Sequence, residues 1–229
     1  MYNTFNFKEI ECSDYSIFMS SIPSRPIAAK RVEYHDIPGR NGHLTSDDGS
    51  FLPSIITVPC TIMDISETNL RQIKAWLCGS GNLIFSDEPD VYWKVRLDLQ
   101  VDYTIAMKTV HQFILVFDCY PLAYSIRNDQ IILTSPGKIY NYGTSASDPI
   151  IKVYGSGNIE LNINNNIIYL SNIDEFVVIN SEMINAYKDT MLMNQYMKGE
   201  FPFFIVESNT ISWTGTVSKI EITPNWRWL

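Results

Sequence analysis

The chain has 229 residues, 45% of them apolar and 18% charged, and carries a net charge of −8. That balance suits a packed protein of one large or two ordinary domains and excludes a disordered chain. There are 11 Lys/Arg against 15 Asp/Glu through Asn128 and 6 against 10 beyond it, so neither half has the basic patch that specific nucleic-acid binding requires.

The first residues, MYNTFNFKEIECSDY, lack a basic stretch followed by a long apolar one, so no secretory signal is expected. Apolar runs such as FILVF at 113–117 are far too short to cross a bilayer as a helix, and a cytosolic chain with no membrane partner is expected. PIAAKRVEYHDI (26–37) and SIITVPCTIM (54–63) are rich in Val, Ile and Tyr and read as strands. Between them lies IPGRNGHL (37–44). A nest of backbone amides with Arg40 could hold an anion there, but phosphate loops run from a strand into a helix. Here strands flank both sides, and Gly39, Asn41 and Gly42 are what a tight hairpin needs, so a hairpin tip is expected.

One helix is expected at about 65–78. Asp64 and Glu67 have capping-box spacing, Leu70, Ile73 and Leu77 with Trp76 form an apolar stripe, and Gly79 and Gly81 follow as stop signals. After it come NLIFSD, VYWKVRLDL and VHQFILVFDCY. In the second of these Val91, Trp93, Val95, Leu97 and Leu99 alternate with Lys94, Arg96 and Asp98, the period of a half-buried strand. Pro121 is expected to end the third. SPGKIYNYGTSASDP (135–149) has the composition of a connection. Beyond it short strands recur about every ten residues, and Asn164, Asn165 and Asn166 mark a hairpin. The fold class expected is mostly β in two domains: residues 1–129, β-rich α+β with the one helix, and residues 130–229, an all-β sandwich.

Few residues suggest chemistry. Cys12, Cys60, Cys78 and Cys119 are widely spaced, so four reduced and mostly buried thiols are expected rather than a zinc site. His35 and His43 flank the hairpin tip and could approach a metal with Asp36 or Asp47; exposed histidines are the plainer reading. Asp87, Glu88 and Asp90 cluster beside a proline, as in a solvated turn, although a glycosidase also needs paired carboxylates. The serines have no GxSxG setting, and no catalytic residue, metal or cofactor is assigned. Trp213, Trp226 and Trp228 with Tyr140 and Tyr142 could stack on sugars or pack the core.

The order and wording of the segments go further. RPIAAKRVEYHDIPGRNGHL (25–44), KAWLCGSGNLIFSDEPDVYWKVRL (74–97), FDCYPLAY (117–124), DPIIKVYGSGNIELNIN (148–164), GEFPFFI (199–205) and ISWTGTVSKIEITPNWRWL (211–229) together resemble the distal tail (Dit) proteins of long-tailed, non-contractile phages. The resemblance implies a structural baseplate-hub subunit of the virion, not an enzyme. It implies a homo-hexameric ring formed by the first domain around a DNA channel, with a galectin-like second domain outside. The implied partners are the tail tube protein above, a tail-tip protein (tail-associated lysin) below and, in some phages, a receptor-binding protein. Pro38, Gly39, Arg40, Asn41 and Gly42 become candidates for a subunit or tail-tube contact. The competing reading is a carbohydrate-binding adhesion module, with Tyr142, Trp226 and Trp228 as the stacking residues.

Overall fold

The structure, a computed structural model, describes residues 3–63, 67–97, 103–105 and 110–229. The chain is mostly β with one helix among the described residues, and it divides into two compact units, Met1–Tyr124 with Leu229 and Ser125–Trp228.

In the first unit the strands are β1 (Phe5–Phe7), β2 (Ile10–Glu11), β3 (Ile17–Met19), β4 (Lys30–Asp36), β5 (His43–Phe51), β6 (Ser54–Met63), β7 (Gly79–Phe85), β8 (Glu88–Leu97), β9 (Tyr103–Ile105) and β10 (Val110–Ser125). The main sheet runs β2-β1-β7-β8-β10-β6-β3, with β9 on β10. Strands β4 and β5 stand apart as a two-stranded ribbon. The alternation expected in VYWKVRL is present, since Val91, Trp93, Val95 and Leu97 are buried while Lys94 and Arg96 are not. Asp98 and Leu99 lie outside the described residues. Pro121 does not end its strand. The pairing of β10 with β6 stops at Cys119 opposite Ser54, so the missing proline N–H removes no bond to that neighbour and the strand continues to Ser125.

Helix α1 spans Glu67–Trp76 and ends two residues earlier than expected; residues 64–66, with Asp64 of the expected capping box, lie outside the described residues. Its stripe is buried at Ile73 and Trp76, and Leu77 just beyond is buried too. Trp76 fixes the helix to the sheet. Its ring lies against Phe5 (6.0 Å, near-parallel), Phe7 (6.2 Å) and Tyr15 (5.1 Å), and its indole N–H donates to the Phe7 carbonyl at 2.8 Å. Phe117 closes the cluster edge-on to both phenylalanines, at 6.2 and 5.5 Å. Aromatic pairs in such arrangements add to the gain from burial alone.

In the second unit the strands are β11 (Ile131–Leu133), β12 (Gly137–Asn141), β13 (Ile150–Ile163), β14 (Asn166–Ile173), β15 (Phe176–Asn180), β16 (Asn185–Lys188), β17 (Met191–Leu192), β18 (Met197–Lys198), β19 (Glu207–Thr223) and β20 (Arg227–Trp228). Their order is β11-β19-β13-β15-β16-β17, with β12 on β19 and β14 joining β13 to β18. The two long strands change neighbours halfway. The Ile150–Tyr154 half of β13 pairs with β15 and the Gly157–Ile163 half with β14; β19 takes β11 at one end and β12 at the other. Inward residues of both halves, among them Val153, Leu161, Leu170, Ile211 and Ile220, meet in one core. The turn Asn164–Asn165 has positive φ at both residues (49° and 69°), as a two-residue hairpin between paired strands requires. The segment expected as a connection holds β12, because Ile139 and Asn141 point inward and the strand finds five partners in Glu207–Ile211.

All four cysteines are free. Burial pushes the Cys12 thiol up to about 11 and Cys119 to about 12, and it raises Cys60 as well. Cys78, after α1, is exposed. A maleimide reagent at pH 8 is therefore expected to add once per native chain, at Cys78, and not at all to Cys78→Ser. Two or more adducts by mass spectrometry would contradict this assignment. Trp76→Ala is expected to destabilise the first unit by about 3–5 kcal/mol; an unfolding midpoint in urea that does not move would show that the cluster is not the anchor of α1.

Candidate interaction surfaces

Strands β4 and β5 pair antiparallel from Lys30 opposite Phe51 to Asp36 opposite His43, leaving residues 37–42 as the tip. The Arg40 amide donates to the Ile37 carbonyl at 3.1 Å, closing a four-residue turn with Pro38 and Gly39 in the middle. Gly39 has φ +82°, so this is a type II turn: proline supplies the fixed φ of the second position and glycine the positive φ of the third. The turn needs those two residues at that spacing, and it presents Arg40 at the fourth position. Arg40 is exposed, and its side chain meets no acceptor among the described residues.

The rest of the ribbon is equally open. Almost every residue of both strands is exposed, including Tyr34 (67%) and Leu44 (45%). A two-stranded ribbon with neither face covered is marginal in water. Tyr34 and His43 meet ring to ring at 5.7 Å, and Asp36 binds His43 Nδ1 at 2.5 Å. His35 pairs with Leu44 in the next row, which puts it on the opposite face, beside Ser46. The two histidines therefore do not converge on one metal.

The carboxylate cluster has a structural task that the sequence did not reveal. Arg25 reaches Asp87 at 2.6 Å and Glu88 at 3.3 Å and lies over the Phe85 ring at 4.4 Å. The guanidinium hydrogen bond holds the Asp87 carboxyl below the usual carboxylate range. Sixty-two residues separate Arg25 from Asp87, so no local signal could have paired them.

In the second unit the aromatic residues part ways. Trp226 is 8% exposed and packs against Phe204 at 5.8 Å; Trp228 is half-buried against the same core. Arg227, between them, donates to the Ala146 carbonyl at 2.8 Å and pairs with Asp148 at 2.7 Å. Trp213 is likewise half-buried on the core. Trp226 is too deeply buried to offer a ring face for stacking. Tyr142 is 73% exposed and stands 5.0 Å from Tyr140, and it is the most open of the three residues of the adhesion reading.

Residues 6–119 match the family model described as the phage tail protein RIFT-related domain. No curated protein matches the chain in sequence. Over its whole length the chain superposes on the whole of the crystal structure of phage SPP1 Dit, whose title calls that protein a paradigm of the hub adsorption apparatus in phages infecting Gram-positive bacteria; the identity is 16% and the TM-score 0.77. Residues 6–119 thus carry the phage tail protein RIFT-related domain, and the chain as a whole has the fold of the distal tail (Dit) proteins.

Proposed function

We propose that six copies of this chain assemble through the first unit into a ring that joins the tail tube to the tail-tip (tail-associated lysin) protein. The observation that carries this reading is the β4–β5 ribbon, whose open faces call for a partner that the single chain does not supply. The tip Pro38–Gly42 reaches the neighbouring subunit or the tail tube, and Arg40 brings an unpaired charge to that contact. The second unit is a galectin-like decoration on the outside of the ring and the seat of any receptor-binding protein. DNA passes through the ring. With a net charge of −8 the chain can line that channel with carboxylates, which repel phosphates and let the duplex slide. Assembly takes place in the host cytoplasm, before the virion is released.

Native mass spectrometry over a range of concentrations tests the ring. A species of six chains is expected. Arg40→Glu should shift the population toward smaller species while the melting temperature stays put, because exposed substitutions outside special sites change stability by about 0.5 kcal/mol or less. A closed assembly of another number, or a monomer throughout, would contradict a self-forming hexamer; an undiminished six-chain species in Arg40→Glu would remove the hairpin tip from the interface.

A further inference from the structure

The outward face of the second unit's sheet has two ends with opposite character. At one end the polar groups satisfy each other. Glu221 accepts from Lys219 at 2.6 Å and from the Tyr154 hydroxyl at 3.0 Å, Lys152 lies over the Phe176 ring at 4.1 Å, and Lys188 reaches Asp174 and Glu175 at 3.2 Å.

At the other end, cross-strand register places four side chains in one row. Thr214 of β19 is opposite Glu160 of β13, Glu160 is opposite Tyr169 of β14, and Tyr169 is opposite Lys198 of β18. Directly opposed residues share a face of the sheet. At the usual strand spacing the row is roughly 14 Å long. Its four side chains have no hydrogen-bond or ionic partner among the described residues, in contrast to the network at the far end. They line an open cleft of about 460 Å³, together with Asn158 and Ser171.

The row is held by a backbone feature that only glycine permits. The register of β13 against β19 shifts between Ser156 and Glu160, which brings Glu160 opposite Thr214. Gly215, next to Thr214, has φ +96°, and a Cβ there would lie 2.5 Å from the Asn158 carbonyl oxygen. The cleft is therefore built into the strand pairing and does not depend on a loop.

We propose that this row binds a neutral hexose-containing oligosaccharide. Tyr169, 51% exposed, offers a flat ring for the C–H face of a sugar. Glu160 accepts from vicinal hydroxyls, Lys198 donates to hydroxyl or ring oxygens, and Thr214 does either. A carboxylate and an ammonium in one row oppose a strongly charged ligand of either sign. The site lies apart from the tryptophans that the sequence suggested, and it stands or falls independently of the hexameric ring.

The test is saturation-transfer NMR followed by calorimetry on the full chain, with maltotriose, cellotriose, lactose and chitotriose as probes. At least one should bind saturably, with a Kd of about 0.1–1 mM. Tyr169→Ala and Glu160→Gln should each weaken it at least about tenfold with unchanged melting temperature, while Tyr142→Ala should leave it intact. Saturable binding to none of the four overturns the proposal. So does binding that survives both Tyr169→Ala and Glu160→Gln, or binding that depends on Tyr142.

Discussion

A strand in water must pair its backbone groups with a neighbour and cover at least one face with apolar contacts. That double requirement organises both units. In the first, β10 and β6 pair over ten residues, and the Phe5, Phe7, Trp76 and Phe117 cluster covers the sheet with α1 on top. In the second, β13 and β19 pair along most of their length and both feed one core. The β4–β5 ribbon meets only half of it. Its edges pair with each other, and its faces stay in solvent. On the proposed function the protein joins other chains, and the ribbon is the element among the described residues whose open faces give that joining a physical reason.

The second unit shows how two long strands do the work of four. Register shifts between Tyr154 and Gly155, and between Ser156 and Glu160, bend the β13–β19 pair so that each strand serves different neighbours at its two ends. The same irregularity decides which outward residues fall in line. It leaves a self-satisfied network of lysines, carboxylates and rings at one end and an unsatisfied row at the other. The core behind stays continuous, since Ile159 and Leu161 remain buried through the shift.

Much of this was legible in the sequence wherever the signal is local. Period two in VYWKVRL, the stripe of α1, the Asn164–Asn165 turn and the Pro38–Gly39 turn all depend on residues within one element, and each has its expected form. What failed depends on distant partners. Gly137–Asn141 has the composition of a loop and becomes a strand because Glu207–Ile211 lies alongside. Pro121 stays inside β10 beyond the point, Cys119 opposite Ser54, where the pairing with β6 ends. Arg25 finds Asp87 across 62 residues, and the row from Thr214 to Lys198 draws on four strands. Composition alone could not tell the packed Trp226 from the open Tyr142, since both lie in aromatic segments of similar texture.

Hydrogen exchange of the backbone amides of residues 30–51, compared between the isolated chain and intact virions, reports whether the ribbon is covered in the tail. Rapid exchange is expected in the isolated chain at low concentration, because the ribbon's own pairing is marginal, and strong protection in the virion, where on the proposed function a neighbouring subunit or the tail tube covers it. Equal and rapid exchange in both states would mean that the ribbon touches nothing in the tail, and that the hub is held together elsewhere.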